Sequence, residues 1–425
     1  MKRTNNMKRL FNLILCAALL AGCAGTSLPT DSTGENVQQI QYDWMAGESP
    51  VPNIRTGIDQ QGTDVVENSF EVTDTGVYWL FDDGYGESVM YCDHDSKNAI
   101  KLCSRPDCMH NDETCDACFW HGSNICYYDG HLYITAAHGA SVILYRIDLD
   151  GRNRVKVMDN TSVIDGYRGS DSVEIRNGVL FFNLFKLDDA GNETSVLFYY
   201  KLDGSMKEPV QAPQEAEGLR LYWNDGVNTL LTGSEHFEAD AVYCSLYSWD
   251  IESGTITYLA EIPGSWMGYY GVEAGYYMNG GKVCRLNYED GSEEVLVDTG
   301  LEGIYRLHAF PDHFILSQDI RWEQSIQGQV LDSQTLHFYS WDYEYLGEVE
   351  IPYPVYNSTT YENIICGDTE NRIYLASHLM GAPEYYIEKS DFGSGIIEIH
   401  KLELPENVEA VLEEIESGGR TIHYD

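Results

Sequence analysis

From about residue 65 onwards, the chain repeats one pattern of apolar and polar positions. Each repeat has an aromatic strand, a short turn, a second strand in which apolar and polar residues alternate, and an Asp/Gly turn before another strand. Residues 76–80, 130–134 and 178–182 are early strands of this kind, and residues 143–151 combine a later strand with its turn. Seven repeats span the 336 residues from 65 to 400, which gives 48 residues per repeat. The pattern predicts seven consecutive units built of β-strands.

The length of the repeat favours a β-propeller. A four-stranded propeller blade uses roughly 40 to 50 residues, and six or eight blades would need 56 or 42 residues per repeat in this chain. One four-stranded unit cannot bury both of its faces, whereas radial stacking covers each blade with its neighbours. We therefore predict an all-β protein with seven four-stranded blades, a Cys-rich insertion and a short C-terminal helix. The alternative is a pair of β-sandwich domains, although sandwiches lack a fixed internal period.

The end of the chain predicts a helix. Val408, Val411, Leu412 and Ile415 follow Pro405 at positions i, i+3, i+4 and i+7, which is the spacing of an apolar stripe on a helix. We expect this helix to cover one side of the last blade rather than to bind a partner. The predicted domains are a signal peptide at 1–22, a lipidated Cys with a flexible tether at 23–64, the β-propeller at 65–404, and the helix with a tail at 405–425.

The first 23 residues predict an export signal with a lipid anchor. A basic start precedes an apolar run at 10–21, which is too short to span a bilayer because a spanning helix needs about 20 apolar residues. Residues 20–23 read Leu-Ala-Gly-Cys and resemble the lipobox of bacterial lipoproteins, in which a peptidase cuts before the Cys and the Cys carries the lipid. This resemblance implies that Cys23 anchors an extracytoplasmic protein to the membrane. The alternative is an ordinary cleaved signal with an incidental Cys.

The charge of the chain excludes one class of partner. There are 26 Lys and Arg against 68 Asp and Glu, a net charge of −42. Loss of residues 1–22 removes four basic side chains and no acidic ones, so 22 remain against 68 and the mature charge is −46. Phosphates are repelled by such a surface, so we predict no nucleic-acid partner and no adhesion of the head to anionic lipid. Residues 24–64 are rich in Ser, Thr, Gly, Gln and Pro and predict a tether that spans roughly 35 Å.

Six cysteines are concentrated between residues 92 and 126. The candidate metal ligands are Cys103, Cys108, His110 and Cys115, because three thiolates and an imidazole form a tetrahedral set for a structural zinc. Cys115 and Cys118 also have the C-x-x-C spacing of metal ligands. Disulfides, which exported proteins commonly form, and reduced structural thiols are the two alternatives. Either bonded form would staple a long insertion between the first two blades. The cysteines predicted to be buried small hydrophobes in distant strands are Cys244, Cys284 and Cys366.

Together, the lipobox, the repeat and the Cys-rich segment resemble a group of largely uncharacterised bacterial surface lipoproteins. Their heads are β-propellers similar to the YWTD type of the LDL receptor. The resemblance covers the lipobox and residues 65–400, and the strand with its Asp-Gly turn at 144–151 shows the recurrent unit. The YWTD tetrapeptide itself is absent, and its nearest forms are Tyr-Ser-Trp-Asp at 247–250 and 339–342. The resemblance implies a propeller at the cell surface. It does not indicate what the Cys-rich segment does.

No catalytic signature supports an enzyme hypothesis. The sequence has no Gly-x-Ser-x-Gly, His-Glu-x-x-His, Walker or dinucleotide-binding motif. The Asp-rich segments 148–151 and 188–192 predict hairpin turns rather than calcium loops, because they lack the full set of spaced oxygen ligands. We therefore predict a non-enzymatic binding or scaffold module for a protein or glycan ligand. The alternatives are a carbohydrate-active hydrolase or lyase that uses the channel mouth, and a cation-dependent adhesion or envelope-assembly protein.

Overall fold

The strands of this protein form seven antiparallel sheets, and each sheet is one blade of a β-propeller. The prediction of seven four-stranded blades is thereby confirmed. Residues 1–69, which include the predicted signal peptide, Cys23 and the predicted tether, lie outside the described residues. The computed structural model describes residues 70–82, 86–103, 105, 107–108, 114–176, 178–187, 193–224, 229–233, 236–238, 241–263, 268–271, 273–303, 305–318, 335–351, 365–376 and 382–416.

The first four blades follow the chain in order. Blade 1 consists of β1 (Phe70–Val72), β2 (Gly76–Asp82), β3 (Glu87–Asp93), β4 (Ala99–Lys101) and β5 (Cys118–Phe119). Blade 2 consists of β6 (Gly122–Tyr128), β7 (His131–His138), β8 (Ser141–Asp148) and β9 (Val155–Asp159). Blade 3 consists of β10 (Tyr167–Arg176), β11 (Val179–Leu187), β12 (Glu193–Lys201) and β13 (Val210–Gln211). Blade 4 consists of β14 (Arg220–Asn224), β15 (Thr229–Thr232), β16 (His236–Glu238), β17 (Ala241–Asp250) and β18 (Thr255–Pro263).

The last three blades precede the only helix of the described residues. Blade 5 consists of β19 (Gly268–Tyr270), β20 (Ala274–Asn279), β21 (Lys282–Asn287) and β22 (Glu293–Asp298). Blade 6 consists of β23 (Tyr305–Ala309), β24 (His313–Gln318), β25 (Thr335–Ser340) and β26 (Tyr345–Glu350). Blade 7 consists of β27 (Ile365–Asp368), β28 (Arg372–Leu375), β29 (Tyr385–Glu388) and β30 (Ile399–Lys401), and helix α1 follows at Glu406–Glu416. Short 3-10 turns lie at Gln214–Ala216 and Lys389–Asp391.

Two blades carry a fifth strand because one of their four strands is interrupted. In blade 4, β15 and β16 pair with successive parts of β17, so they are two halves of the second strand. In blade 1, β4 pairs with residues 90–92 of β3 and β5 pairs with residues 87–88. Both are therefore halves of the outermost strand of blade 1. The Cys-rich insertion separates these two halves.

The hydrophobic core lies between neighbouring blades. One buried cluster joins blades 1 and 2, and others join blades 2 and 3, blades 3 and 4, blades 6 and 7, and blades 7 and 1. A further cluster extends from blade 4 to blade 6. Each blade thus covers the apolar face of the next, as radial stacking requires. Large aromatic side chains contribute to these clusters, with Trp79 and Trp249 each 1% exposed.

Blade 7 closes the ring against blade 1. Strand β27 lies beside β1, and the rings of Phe70 and Tyr374 are 5.4 Å apart across this seam. Helix α1 packs Val408 and Leu412 into the same cluster. The predicted C-terminal helix is therefore present, and it covers the seam between the last blade and the first. No helix in the described part of the chain is long and apolar enough to cross a membrane.

Candidate metal centre

The Cys-rich insertion begins and ends beside one residue of the neighbouring strand. Leu102 N–H donates to Val89 O at 2.7 Å, and Val89 N–H donates to Ala117 O at 2.9 Å. The two ends of the insertion therefore lie side by side in the outermost strand of blade 1. The sequence prediction placed the insertion between the first two blades. The structure places it within blade 1 because pairing with β3 resumes at β5 before the chain crosses to blade 2.

Three cysteine thiols converge inside this insertion. The Sγ atoms of Cys103, Cys108 and Cys115 all lie within 4.8 Å of one another. Cys115 is buried, whereas Cys103 and Cys108 are half-buried. Zn–S bonds of about 2.3 Å in a tetrahedral site place the sulfur atoms about 3.8 Å apart, so a small contraction brings these three to zinc-binding separation. The fourth predicted ligand, His110, lies outside the described residues.

The other cysteines of the described part do not belong to this group. Cys118 lies in β5, and its sulfur is not one of the three that converge. None of the nine described cysteines is part of a disulfide in this structure. Cys244, Cys284 and Cys366 are buried in strands as expected. Burial raises the pKa of Cys284 to about 11 and raises that of Cys366 well above its ordinary value, which favours the protonated thiol at both positions.

Arg105 binds the sulfur group from the solvent side. Its Nη2 donates to Cys108 Sγ at 3.2 Å and to Thr114 O at 2.5 Å, and the hydrogen bond to Cys108 raises the pKa of the exposed guanidinium. Burial raises the pKa of Cys115 to about 12. The Cys115 thiol therefore stays protonated without a metal, and metal binding must displace its proton.

Blade 2 fixes both ends of the insertion. Arg154 Nη1 donates to Cys118 O at 2.7 Å, and its guanidinium lies 5.3 Å from the centre of the Phe119 ring. Gly151 of blade 2 has a φ of +75° and allows close approach of the chain, because a Cβ there would lie 2.3 Å from Leu102 O. The ends of the insertion are thus anchored on two blades, and the thiols lie between fixed points.

An exposed aromatic group follows β5 directly. Trp120 is 58% exposed, and its ring meets the His121 ring edge-on at 5.5 Å. The His121 ring stacks on the His138 ring at 4.8 Å, and Ala137 N–H donates to His121 O at 3.1 Å. His121 has a φ of 58°, a conformation that is uncommon outside glycine. We call Trp120, His121 and His138 the Trp120 cluster.

Sequence reasoning missed the Trp120 cluster because its members lie in different connections. Trp120 and His121 precede β6, whereas His138 ends β7. They meet only when these two strands pair, with Ala136 opposite Gly122. The available signal was the run Phe-Trp-His at 119–121, an aromatic stretch beside a predicted insertion.

A polar cleft of about 580 Å³ lies at one end of blade 1. Its carboxylates come from the turn between β1 and β2 and from the connection between β3 and β4. His94 Nε2 donates to Thr73 O at 2.7 Å, and Tyr91 Oη donates to Thr75 O at 3.0 Å. These bonds hold the two turns together. The cleft is lined by Asp74, Thr75, Asp93, His94, Asp95, Ser96, Lys97 and Asn98.

The Asp-rich segment at 148–151 forms the hairpin turn between β8 and β9. Gly151 N–H donates to Asp148 O at 2.9 Å, and Asp150 Oδ1 accepts a hydrogen bond from Arg152 N–H at 3.2 Å. The residues act as the predicted turn formers. The second Asp-rich segment, 188–192, lies outside the described residues.

These features define a seven-bladed β-propeller protein with a three-thiol insertion. No protein-family model and no curated protein matches the chain. Among solved structures, TolB from Acinetobacter baumannii is 14% identical, with 65% of this chain and 62% of that chain covered and a TM-score of 0.34. The chain thus spans less than two thirds of TolB.

Two further solved structures are similar to this chain. A puromycin-hydrolyzing peptidase from Mycobacterium tuberculosis is 11% identical, with 84% of this chain and 56% of that chain covered and a TM-score of 0.47. The β-propeller domain of the Trilobed protease from Pyrococcus furiosus is 12% identical, with coverage of 66% and 94% and a TM-score of 0.36. These neighbours have varied roles, and at such identities and TM-scores they say nothing about the role of this chain.

Proposed function

We propose that this protein is a lipid-anchored extracytoplasmic propeller that binds a glycan through the Trp120 cluster and catalyses no reaction on it. The observation that carries the proposal is Trp120, which is 58% exposed and held against His121. Of the two predicted ligand classes, protein and glycan, a glycan suits this group better. The C–H face of a sugar ring packs on an aromatic ring, and imidazole nitrogens bind hydroxyl groups.

The Trp120 cluster is rigid enough to serve as a binding platform. Trp120 follows β5, which Arg154 fixes through the Cys118 carbonyl. His121 is fixed by its own backbone bond to Ala137 and by its stack on the His138 ring. A preformed platform loses little conformational entropy on binding. The predicted mature charge of −46 opposes anionic ligands, so the proposed ligand is a neutral or basic glycan.

The variant Trp120→Ala is expected to weaken glycan binding by about tenfold or more, because it removes the stacking surface. Binding of the full chain is measured first on an array of neutral and amino sugars and then by calorimetry. Tyr258→Ala is the matched control, since Tyr258 is 53% exposed on an outer strand of blade 4 and lies outside the cluster. Equal losses in both variants would contradict the proposal. Cleavage of the bound glycan would instead support the hydrolase or lyase alternative.

The anchor proposal rests on residues 1–23, in which the basic start, the apolar run and the lipobox-like end occur in order. Cys23→Ser is expected to abolish incorporation of a labelled fatty acid and to move the chain out of the membrane fraction of cells. Cys16→Ser is the control, because Cys16 lies in the segment that is removed. Retention of the lipid label in Cys23→Ser would disprove the anchor.

We also infer a structural zinc ion in the insertion, with Cys103, Cys108 and Cys115 as ligands and His110 as the fourth. The convergence of the three sulfur atoms within 4.8 Å supports this assignment. Bound zinc supplies a cross-link between thiolates and no catalysis, as in other closed four-ligand sites. In this protein it would tie the insertion to the outermost strand of blade 1, next to the residues that position Trp120.

A further inference from the structure

Three charged side chains meet in the interior between blades 6 and 7. Lys389 Nζ donates to Asp368 Oδ2 at 2.9 Å, and it lies 2.8 Å from Asp368 Oδ1 and 3.1 Å from Asp312 Oδ2. The Lys389 side chain is 4% exposed and the Asp368 side chain 1%. Asp312 lies in the turn between β23 and β24, Asp368 ends β27, and Lys389 begins the turn after β29. An amine thus contacts a carboxyl group in the core, with a second carboxylate beside it.

Aromatic rings pack against His313 beside these groups. His313 is fully buried, and its Nδ1 donates to Asp312 Oδ1 at 2.7 Å. The His313 ring stacks on Phe310 at 4.9 Å and meets Phe392 edge-on at 5.5 Å. One side-chain oxygen or nitrogen atom from each of Asp312, His313 and Asp368 also lies within 4.8 Å of the other two. The Lys389 ammonium supplies the positive charge among them. In a site of such low dielectric, the charged form of a side chain is unfavourable unless it is paired.

The charges of the three groups determine their resting state. Burial raises the pKa of Asp368 to about 6, although Lys389 favours its ionised form. Burial also opposes ionisation of Asp312, but His313 and Lys389 outweigh it and hold the pKa of Asp312 below its usual range. The ground state is an ion pair with Asp312 as a second anion. Transfer of one proton from Lys389 to Asp368 gives an amine and a carboxylic acid with no change in net charge.

We propose that Lys389 and Asp368 condense to form a side-chain amide that cross-links blade 7. Lys389 Nζ attacks Asp368 Cγ, a C–N bond forms, and a C–O bond breaks. Asp312 accepts a proton from the attacking nitrogen and returns it to the departing hydroxyl group, which leaves as water. The reaction consumes no oxidant, reductant or other reagent, since one ammonium and one carboxylate become one amide and one water molecule.

The fold supplies what this condensation requires. A folded core holds Lys389 Nζ at 2.8 and 2.9 Å from the two carboxylate oxygens of Asp368, which replaces an encounter in solution by an intramolecular step. The amide also removes a buried ion pair, whose desolvation is unfavourable. The residues are 21 positions apart and flank β28. The bond would therefore tie the innermost strand of blade 7 to its third strand, in the blade that closes the ring.

Peptide mapping of the full chain by tandem mass spectrometry tests the proposal. The folded wild type is expected to yield a branched peptide that joins Asp368 to Lys389 and is lighter by one water than its two linear parts. Trypsin should not cleave after Lys389 in this species, because the amine is acylated. Asp312→Asn keeps both reacting groups and the size of the third, and it is expected to lose the branched peptide. Lys389→Arg keeps the buried positive charge and should yield linear peptides only.

Recovery of only the linear peptides from folded wild-type protein would overturn the inference. So would a branched peptide in chains kept in denaturant since their synthesis, because the reaction requires the folded core. Far-ultraviolet circular dichroism verifies that each variant is folded. If Asp312→Asn fails to fold, the comparison of folded with never-folded wild type still decides the question.

Discussion

Arg372→Met is expected to lower the free energy of unfolding by about 3 kcal/mol, because it removes the charged hydrogen bonds that a buried guanidinium makes across the seam that closes the ring. Arg372 Nη1 donates to Ser96 O of blade 1 at 2.6 Å, and its Nε donates to Glu388 Oε1 of blade 7 at 2.9 Å. The guanidinium also lies 4.4 Å from the centre of the Tyr386 ring. The Arg372 side chain is only 10% exposed and that of Glu388 is 30% exposed, so water replaces these contacts only in part.

Equilibrium unfolding of the full chain in urea measures this effect. Arg285→Met is the matched control, because the Arg285 side chain is 39% exposed and its ion pair with Glu294, at 3.9 Å, lies within one blade. Exposed ion pairs of this kind contribute little, and we expect a change within about 0.5 kcal/mol. Similar losses in the two variants would show that Arg372 does not hold the seam.

The blade architecture could be predicted because its signal is local and repeated. Each repeat combines an aromatic or apolar strand with a strand in which apolar and polar residues alternate, and Asp, Asn or Gly occupies the turns, as at 148–151. Radial stacking then follows from the need to cover both faces of every sheet. The helix could also be predicted, because Val408 and Leu412 lie on one stripe and both reach the core.

The exact place of the insertion could not be predicted from the sequence. It depends on Val89, which bonds Leu102 on one side and Ala117 on the other. A strand interrupted in this way leaves only β5, which has two residues, after the insertion. Two residues are too few to show the alternation that predicts a strand. The sequence therefore suggested a connection between blades where the structure has a divided strand.

The buried charges had no signal in the sequence because their partners are distant. Lys389 and Asp312 are 77 positions apart, and Arg372 and Ser96 are 276 apart. Each residue alone is typical of a solvated turn. The thiols differ, because Cys103, Cys108 and Cys115 are close in the chain as well as in space. For that reason, the sequence spacing could predict that these three thiols converge.

Cys115→Ser is expected to abolish zinc binding, from about one ion per chain in the wild type to none. Cys115 is the most buried of the three converging thiols and is 1% exposed, so its loss removes the ligand that connects the insertion to the core. Metal analysis and free-thiol counting are performed on the full chain purified without reducing agent or chelator. In the wild type, the three thiols should become reactive only after chelation, and a protease should then cut within the insertion.

Cys118→Ala separates the two zinc-binding hypotheses that the spacing allows. Cys118 is in C-x-x-C spacing with Cys115, but its sulfur lies outside the converging group, so this variant should keep its zinc. Loss of zinc in Cys118→Ala would replace the proposed ligand set by one that includes the C-x-x-C pair. A wild-type chain with no metal and few free thiols would overturn the zinc assignment in favour of disulfides.

Because Trp120 follows β5 directly, zinc removal should also weaken glycan binding, whereas Trp120→Ala should leave the zinc content unchanged.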